Sequence, residues 1–468
     1  MHLGFHGAAR TVTGSKHVLT LQNGYKILLD CGMFQGMGLQ TTRLNEHFGF
    51  DPTSISCVIL SHAHIDHSGL LPKLVKEGFK GAIYSSAATR ELTEILLYDS
   101  ASIQNCHHDG CHPLYNADDV AATMHQFRDI PLDEYCEITK DVSVMLTGAG
   151  HVVGSAAVNL AVHENGKQTK ILFTGDIGRY RSALMQGPSP CPQADVIIME
   201  STYGNCLHDI HGNAVDKLYE AITETCSRNG GKLIIPAFSV GRTQELLYAL
   251  NQLELEKRLP AVPYYVDSPL AHKATSVTCS HLSYFNERLQ KILEIDDNPF
   301  DFAGLKYIDD PAQSQQITSS NEPCVVLAAS GTADAGRVVH HIKACAGDKR
   351  NTILMAGFCT PKTIGGKLLR GVRRLRIHEQ NIAVRAKVGK LEGMSAHGDQ
   401  DDLLHFLQCQ DPAHVKNIFL VHGEYPVQLD FAEKLARAGF HNVNIPSQHR
   451  RVNLEQARRP RRVRKVAA

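Results

Sequence analysis

The chain has 468 residues, 48 Lys+Arg against 48 Asp+Glu, 43% hydrophobic residues, 26 His and no Trp. That length accommodates two or three domains of roughly 150 residues. No apolar run reaches the roughly 18 residues of a membrane span, and Met1-His2-Leu3-Gly4-Phe5-His6 lacks the apolar stretch of a secretory signal. The 13 scattered Cys, with no C-x-x-C, exclude a disulfide scaffold and predict a reducing, cytoplasmic setting. The zero net charge excludes no partner, because residues 450–465 hold eight basic residues and one acidic.

Residues 1–205 read as short apolar strands broken by Gly, Asp and His. Lys26-Ile27-Leu28-Leu29, Cys57-Val58-Ile59-Leu60, Ile171-Leu172-Phe173 and Val196-Ile197-Ile198-Met199 are the clearest. Each runs into a polar residue, the pattern of buried strands whose ends carry chemistry. Helices are predicted between them, at Ala87 to Tyr98 and Ala117 to Gln126. From about 206 the rhythm becomes helix, strand, helix. Val215, Leu218, Ala221, Ile222 and Thr225 form a helical stripe, Leu233 to Pro236 a strand, and Thr243 to Leu250 a second helix. Further strands are predicted at Tyr264 to Asp267, Val325 to Ala328 and Ile353 to Met355, an alternation that predicts a parallel α/β sheet. Residues 380–448 return to strands, at Ile382 to Val388 and Ile418 to Val421, and a basic tail follows. No repeat of 20–50 residues supports a solenoid.

The densest chemistry is Ser61-His62-Ala63-His64-Ile65-Asp66-His67, directly after a strand. Alternate residues of an extended segment point the same way, so His62 and His64 can share one metal. A turn at Asp66-His67 then offers a carboxylate and an imidazole to a second. Zinc favours such N and O ligands and keeps an open position for water. A lone His there would read as a polar loop; four ligand-type residues in six positions do not. His151, Asp176 and His422 also follow strands, and Asp30, after Leu28-Leu29, can orient a ligating His from outside.

This set, His62-x-His64-x-Asp66-His67 with His151, Asp176 and His422, resembles the metallo-β-lactamase superfamily. Glu200 in Met199-Glu200-Ser201-Thr202-Tyr203-Gly204 is similar to motif A of its β-CASP ribonucleases. Gly393-Met394-Ser395-Ala396-His397 resembles motif B, and Leu420-Val421-His422-Gly423-Glu424 motif C. Phe238 to Leu246 and Val266 to Leu270 match further family segments. The resemblance runs from Gly4 to about Pro446. It implies an α/β protein, an αββα metallo-β-lactamase sandwich with an inserted parallel-sheet α/β (β-CASP) domain. Residues 1–205 and 380–448 would form the metal lobe, 206–379 the insertion and 449–468 the basic tail. The interval between Asp176 and His422 leaves room for a whole domain.

The resemblance also implies two Zn2+ per chain: His62, His64 and His151 on one, Asp66, His67 and His422 on the other, Asp176 between them. Asp66, Glu200 and His397 would be the catalytic group. A bridging hydroxide would attack phosphorus, while His397, oriented by Glu200, stabilises the phosphate or delivers a proton to the departing 3′-oxygen. Single-stranded RNA is the implied substrate, cut to 5′-phosphate and 3′-hydroxyl ends for processing or decay. Internal and 5′-end cleavage both stay open, as does a homodimer.

In the insertion, Ser239, Arg242 and Thr243 lie between a strand and a helix, where free N–H groups suit phosphate. Ser330, Gly331 and Thr332, and then Lys362, follow later strands in the same topology, and such junctions gather at a sheet's carboxyl edge. Lys362, Lys367, Arg370, Arg373, Arg374 and Arg376 could flank that edge or form a solvated face. Asp334 departs from the small residue that many members carry and puts phosphate contact in doubt. A loop of Cys106, His107, His108, Asp109, Cys111 and His112 is either an extra metal site or simply polar. The alternative functions are a catalytically silent RNA-binding scaffold, or a metal hydrolase of small esters or DNA.

Overall fold

A computed structural model describes residues 1–38, 40–106, 113–208, 214–357, 359–377 and 379–455. The metal reading of residues 106–112 falls on 107–112, and most of the basic tail on 456–468, both outside the described residues. Among those described, no helix is long and apolar enough to cross a membrane. The chain divides into two compact units, one from Met1–Arg181, Gly187–Leu207 and His397 onward, the other from Ser182–Gln186 and His208–Ala396.

The first unit holds two seven-stranded sheets. One runs, in spatial order, Arg450–Asn453, His2–Phe5, His17–Thr20, Lys26–Leu29, Cys57–Ile59, Ala82–Ser85 and Phe127–Asp129. The other runs Val443–Asn444, Asn417–Val421, Val196–Glu200, Lys167–Phe173, Ala156–Glu164, Val142–Gly148 and Tyr135–Thr139. Side-chain alternation explains why these strands read as unbroken apolar runs. Ile27, Leu29, Ile171 and Phe173 meet in the core between the sheets. Their neighbours face outward, Leu28 onto Leu71 and Leu74, and Leu172 onto Leu403, Phe406 and Phe431. Helices therefore cover both outer faces, giving the αββα sandwich. Arg450–Asn453, grouped with the tail in the sequence reading, pairs antiparallel with His2–Phe5.

The second unit is a six-stranded parallel sheet in the order Leu305–Tyr307, Tyr264–Asp267, Cys324–Ala328, Lys232–Pro236, Thr352–Met355 and Lys387–Lys390. The run Ile382 to Val388 is two strands, not one. Gln380–Ala383 forms a hairpin with Arg374–Ile377. The N–H groups of Arg385 and Ala386 then donate to Ala346 O, and Lys387–Lys390 joins Thr352–Met355 in parallel. Residues 380–396, placed with the metal lobe in the sequence reading, thus fall in the second unit, their strands divided between this two-stranded hairpin and the six-stranded sheet. Asp267, fully buried, accepts hydrogen bonds from Ser314, Arg337 Nη1 at 2.6 Å and His341 Nε2 at 2.7 Å. Burial pushes its carboxyl up, but these donors outweigh it and hold it below the usual range.

Candidate metal centre

Val142–Gly148, Lys167–Phe173, Val196–Glu200 and Asn417–Val421 all point the same way, so their carboxyl ends share one sheet edge. His151 follows the first, Asp176 the second, Glu200 ends the third and His422 follows the fourth. Asp30 and His62 leave the facing sheet at the ends of the parallel pair Lys26–Leu29 and Cys57–Ile59. Asp66-His67 lies in a short helix, Ile65–Ser68, rather than a simple turn. The chain at Gly32 passes so close that a Cβ there would fall 1.6 Å from Asp66 O.

The side chains form two clusters around one carboxylate. His64 Nδ1 is 3.2 Å from both His62 Nε2 and His151 Nε2. Asp176 Oδ2 completes this group, 3.4 Å from His62 Nε2 and 3.6 Å from His151 Nε2. In the second group His422 Nε2 is 3.2 Å from His67 Nε2 and 3.3 Å from Asp66 Oδ2. Asp176 Oδ1 faces it, 3.3 Å from His67 Nε2 and 3.5 Å from His422 Nδ1. Among the described residues Oδ1 has no hydrogen-bond partner despite its burial. A buried, unsatisfied carboxylate oxygen between imidazole nitrogens is the arrangement a cation would complete, and the N/O donor set suits zinc.

Electrostatics divide the histidines. Burial lowers the pKa of His67, but Asp176, Asp66 and Asp30 outweigh it and raise it well above the ordinary range, so a cation bound there would displace a proton. Burial holds His62, His64 and His151 below the ordinary imidazole range, helped by neighbouring imidazoles, and metal ligation requires neutral imidazole. Burial would raise Asp66 and Asp176, but the surrounding histidines outweigh it and keep both carboxyls ionised.

A surrounding layer fixes which ring nitrogen His62, His67 and His422 present. Asp30 is fully buried; its Oδ2 accepts from His67 Nδ1 at 2.6 Å, Ser61 Oγ at 3.0 Å and Ser15 Oγ at 3.2 Å. Its Oδ1 accepts from Ser61 N at 2.8 Å. Ser61 Oγ in turn lies 3.1 Å from His62 Nδ1. Both rings therefore turn Nε2 toward the clusters. Thr202 Oγ1, 3.0 Å from His422 Nδ1, plays the matching part for His422.

Glu200 is fully buried and joins three segments. Its Oε1 accepts from Ile177 N at 2.7 Å and His397 Nδ1 at 3.1 Å, and its Oε2 from Thr202 N at 3.1 Å. His397 Nε2 then lies 3.8 Å from Asp176 Oδ2. The sequence reading paired Glu200 with His397 but missed Thr202, Ser61 and Ser15. They sit inside the quoted motifs or the Gly-rich loop before His17, and hydroxyl residues carry no pattern that marks them as partners.

In the insertion unit, Ser239, Ser330, Gly331 and Thr332 gather at the carboxyl ends of Lys232–Pro236 and Cys324–Ala328. Phe238, 45% exposed, lies so close over Gly331 that a Cβ there would meet its ring at 2.7 Å. Two expected anion contacts turn inward instead. Arg242 is 9% exposed and pairs with Glu245, while Thr243 Oγ1 donates to Phe238 O at 2.8 Å. Asp334 Oδ1 accepts from Ile364 N at 2.8 Å, a local role for the carboxylate that departs from the family pattern. Lys362 and the basic residues after it are exposed.

Comparison with known proteins agrees with this architecture. The metallo-β-lactamase superfamily matches residues 17–223, the Beta-Casp domain 243–368, and the Zn-dependent metallo-hydrolase RNA specificity domain 381–446. A protein of Thermus thermophilus named a ribonuclease is 36% identical over 92% of this chain and 95% of its own length. An RNase J-like protein of Methanocaldococcus jannaschii is 33% identical over 92% of this chain and 94% of its own length. The transcription termination factor FttA of the same organism is 31% identical over 95% of this chain, which spans 70% of it. With its sandwich, its inserted parallel sheet and its clustered histidines, the chain belongs to the β-CASP family of metallo-β-lactamase hydrolases.

Proposed function

We propose that the protein is a zinc-dependent ribonuclease that hydrolyses phosphodiester bonds of single-stranded RNA in the cytoplasm, leaving 5′-phosphate and 3′-hydroxyl ends. The observation that carries this reading is Asp176, whose two oxygens face two separate ligand clusters. His62, His64 and His151 would hold one ion, Asp66, His67 and His422 the other, with Asp176 shared. Two zinc ions there would supply an activated water and positive charge for the scissile phosphate. The names of the Thermus and Methanocaldococcus relatives favour RNA as substrate.

The chain's own residues then divide the work. Asp30 and Thr202 hold His67 and His422 in the tautomers that leave Nε2 free. Glu200 takes the Nδ1 proton of His397 as a hydrogen bond, leaving His397 Nε2 to deliver a proton to the departing 3′-oxygen. Ser239, Ser330, Gly331, Thr332 and Lys362 would hold the RNA backbone, and Arg242 and Thr243 would shape their loop from within.

Purified protein incubated with 5′-labelled and internally labelled RNA should cleave both the wild-type preparation's substrates only while metal is present. Chelator, or Asp66→Ala combined with His397→Ala, should abolish cleavage. A fully zinc-loaded protein that cuts no RNA would instead favour the scaffold reading.

A further inference from the structure

The Gly-rich loop before His17 is bound to the candidate centre through its backbone. His422 N–H donates to Ala8 O at 2.7 Å and Gly423 N–H to Thr11 O at 3.2 Å. Arg10, between those anchors, has a left-handed backbone with φ of 63° and an exposed side chain. Its Nη2 donates to Ile445 O at 3.2 Å, and its guanidinium carbon stands 4.4 Å from the centroid of the Tyr425 ring. Tyr425, three residues beyond His422, opens the helix Tyr425–Arg437 and is 39% exposed.

The pair is held in place yet left in solvent. Two loops that carry or contact a candidate ligand thus present a planar ring and a planar cation at the surface. A base lifted out of a stack is held by such groups: an aromatic face takes the base, and guanidinium takes either a base face or the neighbouring phosphate. Stacking of this kind is indifferent to sequence because every base has a π face.

We propose that Arg10 and Tyr425 form a nucleobase-stacking site for single-stranded RNA, Tyr425 taking one base and Arg10 the adjoining phosphate. This rests on the ribonuclease reading above. The chain contains no tryptophan, so Tyr425→Trp installs a sole indole reporter at the site. In the full-length protein held in chelator, a short uridine oligonucleotide should quench its emission, and an abasic ribose-phosphate oligomer of the same length should not. With metal restored, Tyr425→Ala should raise KM for that RNA on the order of 10-fold while kcat is retained, and Tyr425→Phe should recover the wild-type KM. Arg10→Gln should reduce the salt slope of binding by about one. Equal quenching by the abasic oligomer, or an unaltered KM in Tyr425→Ala, overturns the stacking site while RNA cleavage by the wild type leaves the ribonuclease reading standing. A metal-loaded wild type that cleaves no RNA overturns the ribonuclease reading alone, and the quenching contrast then decides the stacking site by itself.

Discussion

Replacing Asp30 by Asn tests whether the surrounding layer, and not the ligands alone, makes the centre. The backbone is a fair background, since Asp30 sits at a left-handed φ of 57° that Asn also tolerates. The new side chain keeps an oxygen for Ser61 N–H. Where the carboxylate accepted from His67 Nδ1 at 2.6 Å, however, it places an N–H donor. Two donors then face each other, or His67 moves its proton to Nε2 and can no longer bind a cation through it. Loss of such an outer partner weakens metal affinity by about 10- to 100-fold, or about 1.4–2.7 kcal/mol. The loss should fall unevenly. His67 belongs to the Asp66–His422 cluster, whereas His62, in the other, feels Asp30 only through Ser61. Zinc titration against a chromophoric chelator should therefore show one weakened equivalent and one near wild type. Two unaltered equivalents, or two lost together, would refute the reasoning.

Other expectations follow from the same contacts. Glu200→Gln and His397→Ala should each lower kcat on labelled RNA by about 10²–10⁴-fold, and the double variant should be little worse than either; additive losses would mean the two act separately. Asp267→Asn should destabilise the insertion unit by about 3–5 kcal/mol in urea titrations, because buried His341 and partly buried Arg337 lose a shared partner. Asp267 has a lowered carboxyl pKa in the folded state, so its contribution is present above the unfolded value of about 3.9 and is lost as pH falls through the folded one. Wild type and Asp267→Asn should accordingly converge in stability in acid; a constant gap would sink this account. Gly32→Ala should lower the melting temperature and the affinity for the second zinc equivalent, since Asp66 O must move to admit the methyl group.

Much of this was legible in the sequence because the same residues that end a buried strand also carry chemistry. Lys26–Leu29 and Tyr264–Asp267 have the bounds that their apolar runs predicted. His62, His64, Asp66, His67, His151, Asp176 and His422 come together from separate runs, as the strand-end pattern anticipates. What escaped the reading depends on distant partners. The run from Ile382 to Val388 has one apolar rhythm, but Ala346 O captures Arg385 and Ala386 and divides it between two sheets. Arg242 looks like a phosphate contact until Glu245, one helical turn on, is seen to engage it. Arg450–Asn453 looks like the start of a charged tail, and only its register with His2–Phe5 makes it a strand.

Val196–Glu200 and Asn417–Val421 are adjacent, hydrogen-bonded strands, although the whole insertion lies between them in the chain. A polypeptide emerging from the ribosome thus carries His62, His64, Asp66, His67, His151 and Asp176 long before His422 and His397 exist. The nascent chain then holds the whole of one cluster but can neither close the second nor pair Glu200 with His397. The complete constellation is thereby deferred until the insertion has been made and the last strands have docked, so the order of synthesis sets the order in which the two clusters can close.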